Sequence, residues 1–98
     1  MTTGYLIREQ AQNDLEEIWL YTFNEWGVIQ ADKYLHQLLS RFKWIAENPT
    51  LGKERDDVKH GYFAFPEGMH VVFYMIVNDH IEIIGVPHQS MDVISYFE

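Results

Sequence analysis

The chain has no cysteine among its 98 residues. Disulfides and thiolate metal sites are thereby excluded, and a reducing cytoplasm is compatible with the composition. Long apolar runs are also missing. The longest, Val71 to Val77, is far short of the roughly 20 residues needed to cross a bilayer as a helix, so no membrane association is expected. The opening Met1-Thr2-Thr3-Gly4 lacks the basic and apolar regions of a secretory leader, which points to a cytoplasmic location. Positive charge is scarce and unevenly placed: 7 Lys and Arg stand against 15 Asp and Glu, for a net charge of −8. Every basic residue lies before His60; beyond it Glu67, Asp79, Glu82, Asp92 and Glu98 have no Lys or Arg beside them. Phosphate binding draws most of its affinity from cations that displace counterions, so the C-terminal third is not expected to grip DNA or RNA directly. A basic protein surface suits it better.

What is present specifies one compact unit over residues 1–98, with enough apolar side chains for a single modest core. Tyr5 to Arg8 reads as a short first strand. Ala11, Leu15, Ile18, Trp19, Thr22 and Trp26 recur at helical spacing and predict a helix over 11–26, with Asn13 and Asp14 as capping types near its start. Gly27 suits the residue after a helix, because it enters the left-handed region without a Cβ clash. Ala31, Leu35, Leu38, Leu39, Phe42, Ile45 and Ala46 form the stripe of a second helix, stopped by Asn48-Pro49. Two helices joined through one glycine fold back as an antiparallel hairpin. After a polar connection over 50–60 the period changes. Tyr62 to Phe65, His70 to Val77 and His80 to Val86 read as strands, with Pro66 ending the first and Asn78-Asp79 turning between the last two. The fold class is α+β: an N-terminal strand, then an antiparallel two-helix hairpin packed on a small, mainly antiparallel sheet. The tail, with Met91, Val93, Ile94, Tyr96 and Phe97, reads either as a short helix or as an extended arm.

The pieces resemble a known family when taken in order. Asp14-Leu15-Glu16-Glu17-Ile18-Trp19, closed by Trp26-Gly27, is similar to the opening helix of ParE toxins. Leu38 and Phe42 followed by Ala46-Glu47-Asn48-Pro49-x-Leu51-Gly52 resemble the family's second helix and its exit. Gly61-Tyr62-Phe63-x-Phe65-Pro66-x-Gly68-x-His70-Val71-Val72-Phe73-Tyr74 looks like its central hairpin, and His88 to Val93 like its terminal signature. Each motif alone is weak; their order over nearly the whole chain is specific. The resemblance implies a RelE/ParE-superfamily toxin of a type II toxin–antitoxin pair. Such a toxin would inhibit DNA gyrase by protein–protein binding and be neutralised by a ParD-like antitoxin. The alternative within the superfamily is a ribosome-dependent mRNA interferase of the RelE type.

The residues favour the binder. RNA cleavage of the RelE kind needs cations that stabilise a pentavalent phosphate, together with an acid or base. Matched onto that branch, the lysine positions fall about Phe63 and Phe65, the arginine at His70, and the last basic residue near His88 or Gln89. Only histidines remain of the cationic set, and histidine is largely neutral at pH 7. No catalytic residue, cofactor or metal site is therefore expected. His70 and His88 read best as hydrogen-bonding residues at strand ends that a partner could also touch. His36 and His60 read as solvent-exposed, and Asp56-Asp57 as part of a solvated loop. Trp19 fits the core stripe, Trp26 the helix rim, and Trp44 falls off the stripe where a partner could reach it. The tail is the leading candidate contact: Met91, Asp92, Val93, Ile94, Tyr96 and Phe97 either dock on the chain's own sheet or are covered by another chain. A ParD-like antitoxin segment would lie in the groove between the helical hairpin and the sheet. ParE toxins are often basic and their antitoxins acidic, whereas this chain is acidic; electrostatic steering then requires an unusually basic partner.

Overall fold

The computed structural model describes residues 4–98, so residues 1–3 of the opening stretch considered for a leader lie outside it. The first strand, β1, covers Tyr5–Ile7, and helix α1 covers Glu9–Trp26. The helix begins earlier than the apolar stripe indicated. Its cap position is Arg8, extended and without a side-chain cap. Asn13 and Asp14 therefore fall inside the helix and cap nothing. Asp14 is buried, a point that matters at the groove described below.

Gly27 is both the end of one helix and the start of the next. Its φ of 93° lies where a Cβ is penalised, its N–H donates to the Phe23 carbonyl at 2.9 Å, and its carbonyl accepts the Ala31 N–H at 3.1 Å. Helix α2 follows as Val28–Glu47 and leaves through Asn48 into a tight 3-10 turn, Pro49–Leu51. The hairpin inferred from the two stripes is present.

Strand β2, Lys53–Glu54, has no apolar pattern and went unseen in the sequence; it pairs with Ala64 and Phe63 of β3, Phe63–Glu67. Pro66 lies within β3, where the sequence reading placed the strand's end. The reason is local. Pro66 faces Val71 of β4, and the Val71 N–H donates to the Pro87 carbonyl, away from β3, at 3.0 Å. This pair exchanges no ladder hydrogen bonds, so the proline nitrogen forfeits none. Strands β4, His70–Val77, and β5, His80–Gly85, complete the sheet, turning at Asn78 with a φ of 55°. The order is β1-β5-β4-β3-β2, with β1 parallel to β5 and all other pairs antiparallel.

Both faces of the sheet are covered. On one, Leu15, Ile18, Leu38, Phe42 and Ile45 of the hairpin pack on Val72, Tyr74, Ile81 and Ile83. Tyr74 is fully buried, and its hydroxyl donates to the Pro49 carbonyl at 2.7 Å and accepts the Gly52 N–H at 3.1 Å. On the other face, Tyr62, Ala64, Phe73 and Ile84 form a smaller cluster closed by Val58, Val93 and Phe97. The last two residues belong to the tail, which forms a short helix, α3, over Val93–Tyr96. Asp92 caps it by accepting the Ile94 N–H at 3.1 Å. Among the described residues, no helix is long and apolar enough to cross a membrane.

Candidate partner-binding groove

A large concavity, about 940 Å³, lies between α1, the β3–β4 turn, the chain leaving β5 and the tail. Ile18, Tyr21, Trp26, Met69, Pro87 and Met91 supply apolar wall; Asp14, Glu17, Tyr34, His70, His88 and Tyr96 supply the polar groups. No Lys or Arg is among its lining residues. The three arginines are committed elsewhere. Arg8 pairs with Glu82 at 2.6 Å, Arg41 with Glu67 at 2.5 Å, and Arg55 with Asp57 at 2.9 Å.

The polar floor is built from three chain segments. Asp14, buried on α1, accepts the Val86 N–H at 2.8 Å and the Tyr96 hydroxyl. A single carboxyl group thus ties the first helix to the end of β5 and to α3. Burial, reinforced by the neighbouring Asp14, pushes the Tyr96 phenol well above its ordinary range, so it is a fixed donor. Tyr34 of α2 reaches the β3–β4 turn, where its hydroxyl accepts the Met69 N–H at 3.0 Å and lies 2.7 Å from His70 Nδ1. The same hydroxyl also lies within donating distance of the Glu67 carbonyl, at 3.4 Å, so it joins α2 to the turn at three points. Gly68 at this turn has a φ of 58°, and a Cβ there would lie 2.6 Å from the Tyr34 oxygen. Glycine is required on both counts.

His70 and His88 stand opposite each other as an isolated antiparallel bridge, their rings edge to face at 5.3 Å. Burial, followed by the neighbouring His88, lowers the His70 pKa to about 4, so it is neutral at physiological pH. His88 Nδ1 lies 2.8 Å from the Ser90 hydroxyl and also accepts the Ser90 N–H at 3.1 Å. The reading of these two as hydrogen-bonding residues at strand ends agrees with this geometry. Among the described residues, no three His, Asp and Glu side chains are placed to hold a metal ion.

The remaining candidates separate into two groups. Tyr96, Val93 and Phe97 are half-buried against the chain itself; Phe97 meets Tyr62 at 5.3 Å and Phe73 at 5.0 Å. Met91, Asp92 and Ile94 are exposed. The tail therefore docks Val93, Tyr96 and Phe97 on the chain's own surface and leaves Met91, Asp92 and Ile94 exposed. Trp44 is half-buried, 5.0 Å from Phe65 with the Arg41 guanidinium over its ring at 4.8 Å, and does not line the groove. Phe63 and Phe65, the positions matched to lysines, pack on Tyr74 and Trp44 against the core. Trp26 is exposed on the groove rim. Trp19, expected in the core, is half-exposed on the opposite flank of α1, its indole N–H donating to Asp32 at 2.9 Å. Asp14 was the groove-floor residue missed: its type fitted a cap, and only its spacing on the apolar stripe, one before Leu15, hinted at burial.

A family model described as "ParE toxin of type II toxin-antitoxin system, parDE" matches residues 5–93. "Toxin ParE1" of Mycobacterium tuberculosis (strain H37Rv) is 39% identical over 94 residues, covering 95% of this chain and 96% of the relative. "Toxin ParE1" of Caulobacter vibrioides is 41% identical over 88 residues, covering 90% and 91%. Among solved structures, a chain from "Chromosomal ParDE TA system from P. aeruginosa" superposes with a TM-score of 0.76 at 15% identity, covering 89% of this chain and 96% of that one. At that identity the superposition speaks for the fold.

Proposed function

The chain belongs to the ParE toxin family of type II toxin–antitoxin systems, and from that premise we propose that it inhibits DNA gyrase by protein–protein binding, without catalysis, and is neutralised by a ParD-like antitoxin. The observation that carries this reading is the charge of the large groove: two carboxyl groups, two histidines and no Lys or Arg. Cleaving a phosphodiester requires donors fixed where negative charge develops, and losing one such donor typically costs ~10²–10³ in rate. His70 offers a neutral imidazole, and the matched lysine positions are aromatic side chains packed on the core. What the groove offers instead is apolar wall with a few oriented hydrogen-bonding groups, the character of a protein-binding surface.

In this reading the exposed part of the tail, Met91, Asp92 and Ile94, with Trp26 and Met69 on the rim, makes the intermolecular contact. Val93, Tyr96 and Phe97 hold that segment in place by packing on the chain. His70 and His88 add directional hydrogen bonds at the groove floor, and Trp44 under Arg41 adds a second, smaller contact. The ParD-like antitoxin competes by laying an apolar segment along the groove between the helical hairpin and the sheet.

The experiment is purified chain with gyrase, supercoiled DNA and ATP. Loss of supercoiling with accumulation of cleaved DNA, relieved by the partner, is the expected result. Cut messenger RNA in a translating extract, abolished by replacing His70 or His88, would establish the mRNA interferase instead.

A further inference from the structure

Helix α1 is a ridge between two apolar concavities. The large groove lies on one flank. On the other, a second groove of about 630 Å³ runs along the outside of the helical hairpin, walled by Leu15, Trp19, Leu20, Leu35 and Leu39. Its wall is fixed in advance. The Trp19 indole is held by Asp32 at 2.9 Å and stacked on Phe23 at 5.2 Å with the rings 7° from parallel. A side chain immobilised in this way costs little further entropy when a partner covers it.

The charge on the ridge is one-sided. Across Glu9–Trp26 there are five acidic residues and no Lys or Arg. Asp14 is buried, but Glu9, Glu16, Glu17 and Glu25 are exposed. Among the described residues none of these four glutamates forms an ion pair, whereas Glu67, Glu82 and Asp57 each have an arginine. Glu16 is itself part of the groove wall.

We propose that this outer groove is a docking site for a cationic amphipathic helix of a partner protein. The lining runs from Gln12 to Leu20 on α1, about 12 Å of helix at 1.5 Å per residue. That length accommodates two to three turns of a partner helix with apolar residues at i, i+3 or i+4, and i+7. Lys or Arg flanking that stripe would meet Glu9 and Glu16. Charge also disfavours a second copy of this chain, because a two-fold contact across the groove brings together two molecules that each carry −8. The proposal rests on the reading of the chain as a protein binder and adds a second surface and the partner's chemistry.

The test is calorimetric titration of the full chain with four helix-forming peptides. Three share one leucine stripe flanked by Lys, Gln or Glu; the fourth is the Lys peptide with its stripe scrambled. The expected order is Lys, then Gln, then Glu, with the ends of the series separated by about tenfold or more at low salt and converging as salt is raised. Leu20→Asp, at a half-exposed position, should abolish binding of the Lys peptide while the circular dichroism stays unchanged, and Glu16→Lys should shrink or invert the series. Equal binding of the Glu peptide, equal binding of the scrambled peptide, or a dimer that Leu20→Asp dissociates would each overturn the proposal. The gyrase assay is read separately. Chain that arrests gyrase but shows no peptide preference refutes the outer groove alone, and chain that binds the Lys peptide but leaves gyrase untouched refutes the target alone.

Discussion

The hydroxyl of Tyr96 donates to the carboxyl of Asp14, across a sequence separation of 82 residues. Asp14 also takes the Val86 N–H, so one side chain on α1 holds both the end of the sheet and the terminal helix. The helical wall of the large groove, the chain leaving β5 and the base of the tail meet at this one residue.

Replacing it should therefore be costly. Asp14→Ala leaves the Val86 N–H and the Tyr96 hydroxyl without an acceptor, with an expected loss of about 2–3 kcal/mol. Tyr96→Phe removes one of these bonds and leaves that of the Val86 N–H in place, and should cost about 1–2 kcal/mol. Urea denaturation of the two variants and their double mutant reads this directly. The double mutant should fall short of the sum, because the two side chains share one hydrogen bond.

The His70 imidazole gives a pH signature. Its folded pKa of about 4 lies below the ordinary 6.5, so between those values the unfolded chain holds the extra proton. The contribution of His70 to stability is complete above about pH 6.5 and is lost as the pH falls toward 4. Glu82 and Asp57 are held below the ordinary carboxylate range by Arg8 and Arg55, and their contributions fade only at lower pH. Denaturation midpoints should therefore decline from pH 6.5 to 4.5 in the parent chain and decline less in His70→Gln. His88→Gln removes the neighbouring imidazole that adds to the effect of burial, and NMR titration should show the His70 pKa rising toward 6.5 without reaching it.

The tail should divide by residue. Phe97→Ala vacates a half-buried site against Tyr62 and Phe73 and is expected to cost about 2 kcal/mol. Met91→Ser and Ile94→Ser, at exposed positions, should change stability by no more than about 0.5 kcal/mol. The same two substitutions should weaken gyrase inhibition by about tenfold, equivalent to about 1.4 kcal/mol of contact energy. Stability and inhibition measured on one set of variants separate the halves of the tail.

Gly85 lies beneath that tail, and a Cβ there would come 2.7 Å from the Tyr96 oxygen and 3.3 Å from the Phe97 ring. Gly85→Ala should lift α3, seen as faster amide exchange over residues 93–97 while α2 remains protected.

The helices and the last hairpin were legible because their signals are local. Leu35, Leu38, Phe42 and Ile45 state a period without help from the rest of the chain, Gly27 marks the join, and Asn78-Asp79 names its turn. What was hidden depends on distant partners. Lys53 and Glu54 form a strand only because Phe63 and Ala64 offer them an edge. Pro66 continues β3 only because Val71 turns its N–H toward Pro87. Asp14 looks like a cap until Val86 and Tyr96 arrive. At the site, the absence of Lys and Arg was readable from the end of the sequence, but the use of Arg8, Arg41 and Arg55 in ion pairs was not.

The parallel pairing of β1 with β5 joins Tyr5 to Ile81. A chain emerging from the ribosome can curl its two helices early, yet its opening strand has nothing to bond until nearly all of the sequence has been translated. The groove floor waits longer still, for Tyr96. The contact that closes the floor of the large groove thus joins one of the first residues translated to one of the last described, and the groove takes its shape only after Tyr96 has reached Asp14.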